Sequence, residues 1–118
     1  RVRLVGAKPH GEMHLWMGAS DMMVHPSLSE GNPTVMFESL GCGRPFIGTR
    51  VGGIPEVVTS EEVGILCAPE NPGALAEAIL RALSMDWDST RISSHAQRYA
   101  WENIARELVS IFDRVTDD

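Results

Sequence analysis

Three short apolar runs punctuate the chain as far as Cys67: Met22-Met23-Val24, Phe46-Ile47-Gly48-Thr49 and Gly64-Ile65-Leu66-Cys67. The first is continuous rather than alternating, the pattern of a strand buried on both faces, and such strands belong to parallel sheets covered by helices. Helical text separates the runs. Asn32-Pro33 is a helix start in which Asn caps and Pro occupies the first turn, where its missing N–H costs nothing; Gly41 and Gly43 stop that helix. Gly11 to Gly18 reads as a short helix with Met13, Leu15, Trp16 and Met17 on its apolar faces, and Glu56 to Thr59 as a helical turn after the tight Gly52-Gly53 turn. Val2 to Val5 reads as a further strand. Short strands alternating with helices predict an α/β fold, a partial Rossmann-like doubly wound parallel sheet.

Beyond Pro69 the text becomes helical throughout. Asn71-Pro72 repeats the cap-plus-proline start, and Leu75, Ile79 and Leu83 recur every fourth residue, predicting an amphipathic helix. A polar stretch through Trp87, Asp88 and Ser89 leads to a second helix with Ile92, Ala96 and Tyr99 on one side. The last helix carries Trp101, Ile104, Ala105, Leu108, Phe112 and Val115 on one stripe. The expected organisation is one unit over 1–118, a β/α core over 1–69 and a C-terminal helical tail over 70–118, with no internal repeat and no linker.

With 118 residues and a formal net charge of −6, the chain has no basic stripe that could displace counterions from a nucleic-acid backbone, so no nucleic-acid partner is expected. Its apolar runs are too short to span a bilayer, which predicts a cytoplasmic protein, with any peripheral attachment to the inner membrane face left to parts outside this sequence. Cys42 and Cys67 sit in apolar or glycine-rich settings and read as small hydrophobes in a reducing compartment rather than a disulfide or metal pair. The chain opens on Arg1-Val2 without an initiator methionine, already inside strand-like text, as a fragment would.

In open parallel sheets ligands bind beyond the carboxyl ends of the strands, here the loops after Val24, Ile47 and Leu66. The first of these runs from Pro26 to Pro33 straight into a helix, so the amides of Thr34, Val35 and Met36 should face it with the positive end of the helix dipole, a phosphate-binding arrangement. Gly31 lets a ligand approach the backbone closely. Glu38 shares a helix face with Thr34 and suits the paired hydroxyls of a ribose; Glu30, in the loop, can accept from the hydroxyls of a second polar group. On spacing alone, two solvated surface glutamates explain the pair equally well. Other residues have structural readings. His10 and His14 are four apart but lack the H-E-x-x-H pattern, so no metal is expected. His25 reads as a packed or backbone-bonded histidine, Ser27 as a capping or turn residue, Glu56 as an acid at a helix start, Arg44 as solvated in a turn, and Gly52-Gly53 equally as a turn requirement or a close approach to a ligand.

Taken together, Val24-His25-Pro26-Ser27, Glu30-Gly31, Phe37-Glu38-Ser39-Leu40-Gly41-Cys42-Gly43-Arg44-Pro45-Phe46-Ile47 and Val51-Gly52-Gly53-Ile54-Pro55-Glu56-Val57-Val58 occur in fixed order. Gly64-Ile65-Leu66 and the helix from Leu75 to Ile79 continue the series. The series resembles the donor-binding, C-terminal domain of the retaining GT-B glycosyltransferases of group 1 (GT4). The resemblance implies transfer of a hexosyl group from a nucleotide-diphosphate sugar to a saccharide, lipid-linked or small-molecule acceptor held by a separate N-terminal domain, with no cofactor and no structural metal. It implies that Glu30, the first acid of the family's E-x7-E pair, contacts the donor sugar and is the catalytic candidate, and that Glu38 contacts the ribose. It assigns the backbone of Gly31, Asn32, Pro33, Thr34 and Val35 to the sugar and diphosphate.

This chain reads Glu30-Gly31-Asn32-Pro33 where many members carry E-G-F-G, and the Arg and Lys that neutralise the diphosphate lie upstream in the family. In the strand order 3-2-1-4-5-6, Val2 to Val5 corresponds to strand three and Met22 to Val24 to strand four. The edge of the latter is then unpaired, open to another part of the protein or to self-association. The apolar stripe of the last helix should likewise be partly exposed. Two alternatives remain open at this stage: a sugar-nucleotide epimerase of the same fold, and a non-catalytic nucleotide-sugar-binding module.

Overall fold

The computed structural model describes residues 1–116. A 3-10 turn at His10–Glu12 leads into α1 (Met13–Gly18), followed by β1 (Met23–His25), α2 (Thr34–Gly41), β2 (Phe46–Thr49), α3 (Ile54–Val57), β3 (Gly64–Cys67), α4 (Pro72–Ser84), α5 (Ser89–Ala96), a second 3-10 turn at Gln97–Tyr99, and α6 (Trp101–Thr116). The sheet is parallel with order β1-β2-β3; Met23 pairs with Phe46, and Phe46 in turn with Gly64. All four residues of β2 are buried, as a central strand covered on both faces requires.

Period-two alternation along the strands sorts their side chains into two cores. Phe46 points into one with Met36 and Leu40 of α2, Ile54 and Val57 of α3, and Ile92 of α5; Met23 and Leu66 flank it. Ile47 and Ile65 point the other way, onto Ala78 and Ala82 of α4. The α/β, doubly wound architecture expected from the sequence is therefore present, with helices on both faces. Trp87 packs against both clusters and donates its indole N–H to the Ala82 carbonyl at 2.8 Å, closing the turn between α4 and α5. His95 Nε2 lies 2.7 Å from the Val57 carbonyl and ties α5 to α3.

Several local expectations need correction. Val2 to Val5 is not a strand: a strand exists only where a neighbour takes up its donors and acceptors, and none lies beside it among the described residues, leaving Val2 and Leu4 almost fully exposed. Asn32 does not cap α2. The N-cap is Pro33, in extended backbone, so the helix begins one residue later, and the Asn32 side chain lies against Gly53 instead. Asn71 does cap, accepting the Ala74 N–H at 2.9 Å. In α4 the buried stripe is Ala78 and Ala82, with Leu75 and Ile79 at its edges; Leu83 is exposed, because only small residues let the helix approach β2 and β3 closely. Arg44 is not solvated: it is half-buried and donates to the Gly18 carbonyl at the end of α1. Cys42 and Cys67 are free and half-buried.

Two features match their expectations. Among the described residues β1 pairs only with β2, so its outer edge is open. Along α6, Trp101, Leu108, Phe112 and Val115 are exposed and no residue is buried. Among the described residues no helix is long and apolar enough to cross a membrane.

Candidate functional site

The loop between β1 and α2 leaves the carboxyl end of the sheet and carries the candidate residues Glu30 to Pro33, with Thr34 and Val35 opening α2. Two contacts with the loop after β2 shape it. Gly52 has φ +54, a conformation side chains rarely adopt, and a Cβ there would lie 1.8 Å from the Glu30 carbonyl oxygen. The Gly53 N–H donates to the Gly31 carbonyl at 2.8 Å, and a Cβ on Gly53 would fall 2.2 Å from Asn32 Oδ1. Gly52-Gly53 is thus more than a turn: its missing side chains make room for the neighbouring loop. The Thr49 hydroxyl at the end of β2 donates to the Ser27 carbonyl and fastens the same loop further upstream.

Gly31, Asn32 and Thr34 are exposed, Val35 is half-buried and Pro33 is buried beneath the turn. Nothing stands within 4 Å of a Cβ built on Gly31, so space is open beside that backbone. Of the three amides expected to be free, Thr34 and Val35 have no partner among the described residues, whereas the Met36 N–H donates to the Pro33 carbonyl at 3.0 Å. That bond spans three residues, a 3-10-type closure of the first turn in which Pro33, the N-cap, supplies the carbonyl. Two unpaired N–H groups at the positive end of α2 remain oriented toward the loop.

The two candidate carboxylates occupy different surroundings. Glu38 is half-buried on α2, and Asn32, Thr34 and Glu38 share a concavity of about 570 Å³ whose apolar wall comes from Phe37, Tyr99, Trp101 and Ile104. On its other side Glu38 borders a second hollow of about 310 Å³ with His10, Met13 and Cys42, and His10 Nε2 stands 3.8 Å from Glu38 Oε1. Glu30 stands at the end of β1, where its Oε1 lies 2.7 Å from His25 Nε2 and accepts the Ser27 hydroxyl at 2.6 Å. The Ser27 hydrogen bond first, and then that of His25, hold the Glu30 carboxyl below its ordinary pKa, with partial desolvation opposing them.

Sequence reasoning missed four contributors. The sequence suggests a packed or backbone-bonded His25 and a capping or turn-forming Ser27, yet both attach to Glu30; the alternation His25, Ser27 across the strand end is the available signal. The aromatic wall of the larger concavity comes from Tyr99 and Trp101, more than sixty residues downstream, and no local pattern announces that. His10 and His14 hold no cluster with a third ligand: among the described residues no group of three His, Cys, Asp or Glu side chains could hold a metal ion.

Comparison with known proteins places this geometry in context. The family model described as "Glycosyl transferases group 1" matches residues 1–85. A D-inositol 3-phosphate glycosyltransferase of Corynebacterium urealyticum is 32% identical over 115 residues, covering 94% of this chain and 27% of the relative; its counterpart in Corynebacterium glutamicum is 33% identical over 119 residues, covering 96% and 28%. Among solved structures, sucrose-phosphate synthase from Thermosynechococcus elongatus superposes with a TM-score of 0.83 at 30% identity, over 99% of this chain and 31% of that one. The chain spans between a quarter and a third of the length of these relatives. With the E-G-N-P loop, the Gly-Gly turn against it and the three-stranded parallel core all inside the matched residues, the chain belongs to the group 1 glycosyl transferases.

Proposed function

We propose that this chain forms most of the donor-binding part of a retaining glycosyltransferase, which moves a hexosyl group from a nucleotide-diphosphate sugar to an acceptor bound elsewhere in the full-length protein. The observation that carries the proposal is the grouping at the carboxyl end of β1: two unpaired amides, Thr34 and Val35, at the start of α2, with Glu38 one turn along the helix and Glu30 in the preceding loop. Amides at a helix N-terminus receive a diphosphate without the desolvation cost that a buried lysine would carry. Glu38 accepts hydrogen bonds from the ribose hydroxyls, and Glu30 from hydroxyls of the donor sugar. As the sugar departs, negative charge grows on the diphosphate, and the fixed amide dipoles stabilise it more in the transition state than in the ground state. No cofactor and no metal enter this scheme.

The names of the relatives fit it, since they are glycosyltransferases of an inositol phosphate and a synthase of sucrose phosphate. A cytoplasmic location and a saccharide, lipid-linked or small-molecule acceptor belong to the same proposal. The test is calorimetric titration of the full-length parent with UDP, GDP and ADP, with Glu38→Ala as the comparison. Selective binding by one nucleotide, lost in the variant, is the expected result. Binding that survives Glu38→Ala removes Glu38 from the site, and no binding by any of the three favours a non-catalytic module.

A further inference from the structure

We propose that His25 and Ser27 are positioning residues that lock the Glu30 carboxylate in one orientation and reserve a single oxygen, Oε2, for the hydroxyls of the donor sugar. The inference rests on the donor site proposed above and adds two residues to it.

Hydrogen accounting at the cluster leaves one arrangement. Three atoms meet there: Glu30 Oε1 is 2.7 Å from His25 Nε2 and 2.6 Å from Ser27 Oγ, and Nε2 and Oγ are 3.1 Å apart. An ionised carboxylate only accepts, so the single hydroxyl hydrogen of Ser27 goes to Oε1. His25 Nε2 then faces two oxygen atoms and has to carry a hydrogen itself, directed at Oε1 and shared with Oγ. Were Nε2 bare, two lone pairs would oppose each other at 2.7 Å. This also rules out Ser27 as a nucleophile activated by His25: the ring nitrogen nearest the hydroxyl holds a hydrogen and has no room for another.

Both donors converge on the same oxygen. Oε1 is thereby saturated, and Oε2 has no hydrogen-bond partner among the described residues. The side chains of His25 and Glu30 are each 23% exposed, so the carboxylate is partly open to an arriving ligand. Both donors are tied to the sheet. His25 is the last residue of β1, in register with Gly48 of β2, and its ring lies 5.8 Å from that of buried Phe46. Ser27 is held through its carbonyl by the hydroxyl of Thr49, itself buried at the end of β2. A surface glutamate would sample several rotamers; this one is held by two neighbours, His25 fixed by strand pairing and Ser27 by the Thr49 hydroxyl.

The consequence is specific to the sugar half of the donor. Losing a positioning donor should leave the nucleotide and diphosphate contacts intact and weaken only the increment added by the sugar. The experiment measures, in the full-length parent, affinities for UDP, GDP and ADP and for UDP-glucose, GDP-mannose and ADP-glucose, and takes the ratio of sugar-nucleotide to nucleotide affinity. In His25→Ala and in Ser27→Ala the ratio should fall about tenfold, the effect of one hydrogen bond to a charged group, with nucleotide affinity unchanged. His25→Gln returns an N–H close to the position of Nε2 and should restore most of the ratio. An unchanged ratio in both alanine variants overturns the proposal, as does an equal loss for nucleotide and sugar nucleotide without rescue by His25→Gln, which marks a merely structural role. Should His25→Ala not fold, Ser27→Ala and His25→Gln still decide the matter. A parent that binds neither class of ligand refutes the donor site itself, a result distinct from the loss of the ratio alone.

Discussion

Replacing Gly52 with alanine adds one methyl group at the point where two loops touch. That carbon would stand 1.8 Å from the Glu30 carbonyl oxygen, 2.7 Å from the Glu30 carbonyl carbon and 2.9 Å from the Gly31 carbonyl oxygen, where ordinary contact begins at 3.4 Å. All three are backbone atoms, so no flexible side-chain end can swing aside, and the Glu30–Gly31 peptide has to move as a unit. Holding alanine at φ +54 adds about 1–2 kcal/mol for the left-handed backbone. Forcing a packed neighbour to yield adds about 1–3 kcal/mol. A destabilisation of about 2–5 kcal/mol follows, together with a displaced Glu30. Urea denaturation followed by tryptophan fluorescence, to which half-buried Trp87 contributes, measures the first effect; nucleotide-sugar titration of the full-length parent measures the second. Gly41→Ala is the control, since Gly41 ends α2 with nothing within 4 Å of a new Cβ and should stabilise by about 0.5–1 kcal/mol. A Gly52→Ala protein within about 0.5 kcal/mol of the parent, binding donor equally well, would refute the claim that this glycine shapes the Glu30 loop.

Gly31→Ala makes the converse case: open space surrounds that position, so stability should hold within about 0.5 kcal/mol while donor affinity falls, as paired denaturation and calorimetry would show. Asn71→Ala removes the acceptor of the Ala74 N–H and should cost about 1 kcal/mol in urea denaturation, and Asp88→Ala, which strips the cap of α5, about as much. Ile92→Ala, which empties a fully buried position between α5 and α2, should cost about 2–5 kcal/mol by the same assay. Because the folded Glu30 carboxyl titrates below its unfolded value, its contribution to stability is complete above the unfolded pKa and disappears as pH falls through the folded one. NMR titration of the Glu30 carboxyl should therefore give a midpoint below that of an ordinary glutamate, moving upward in Ser27→Ala.

The strands and helices that bury apolar residues were legible because hydrophobic pattern and packing agree there. Phe46 to Thr49 and Gly64 to Cys67 appear at the expected bounds, and Asn71-Pro72 caps α4 as its residue types suggest. Asn32-Pro33 has the same residue types and behaves differently, because tertiary contact with Gly53 competes for the Asn32 side chain; a local propensity of about 1 kcal/mol yields to packing. Val2 to Val5 has the composition of a strand but no neighbour among the described residues, and composition alone cannot supply a ladder. At the candidate site, the positions of Glu30 and Glu38 followed from loop and helix reasoning. The attachments of Glu30 to His25 and Ser27 did not, since they depend on where the chain turns after β1. Tyr99 and Trp101 reach the Glu38 concavity only through the folding back of α5.

The fastening of the β1–α2 loop to β2, through Thr49 to Ser27 and through Gly53 to Gly31, has a consequence for the entropy of recognition. Immobilising the backbone of a free residue costs about 1–2 kcal/mol at room temperature. In a loop left to fluctuate, the residues from Ser27 to Asn32 would meet that cost at the moment of binding, and it would be subtracted from affinity. Here the sheet meets it during folding. A ligand arriving at Glu30 encounters a surface already ordered, so its association should proceed with little loop closure and keep nearly all the enthalpy of the contacts it makes.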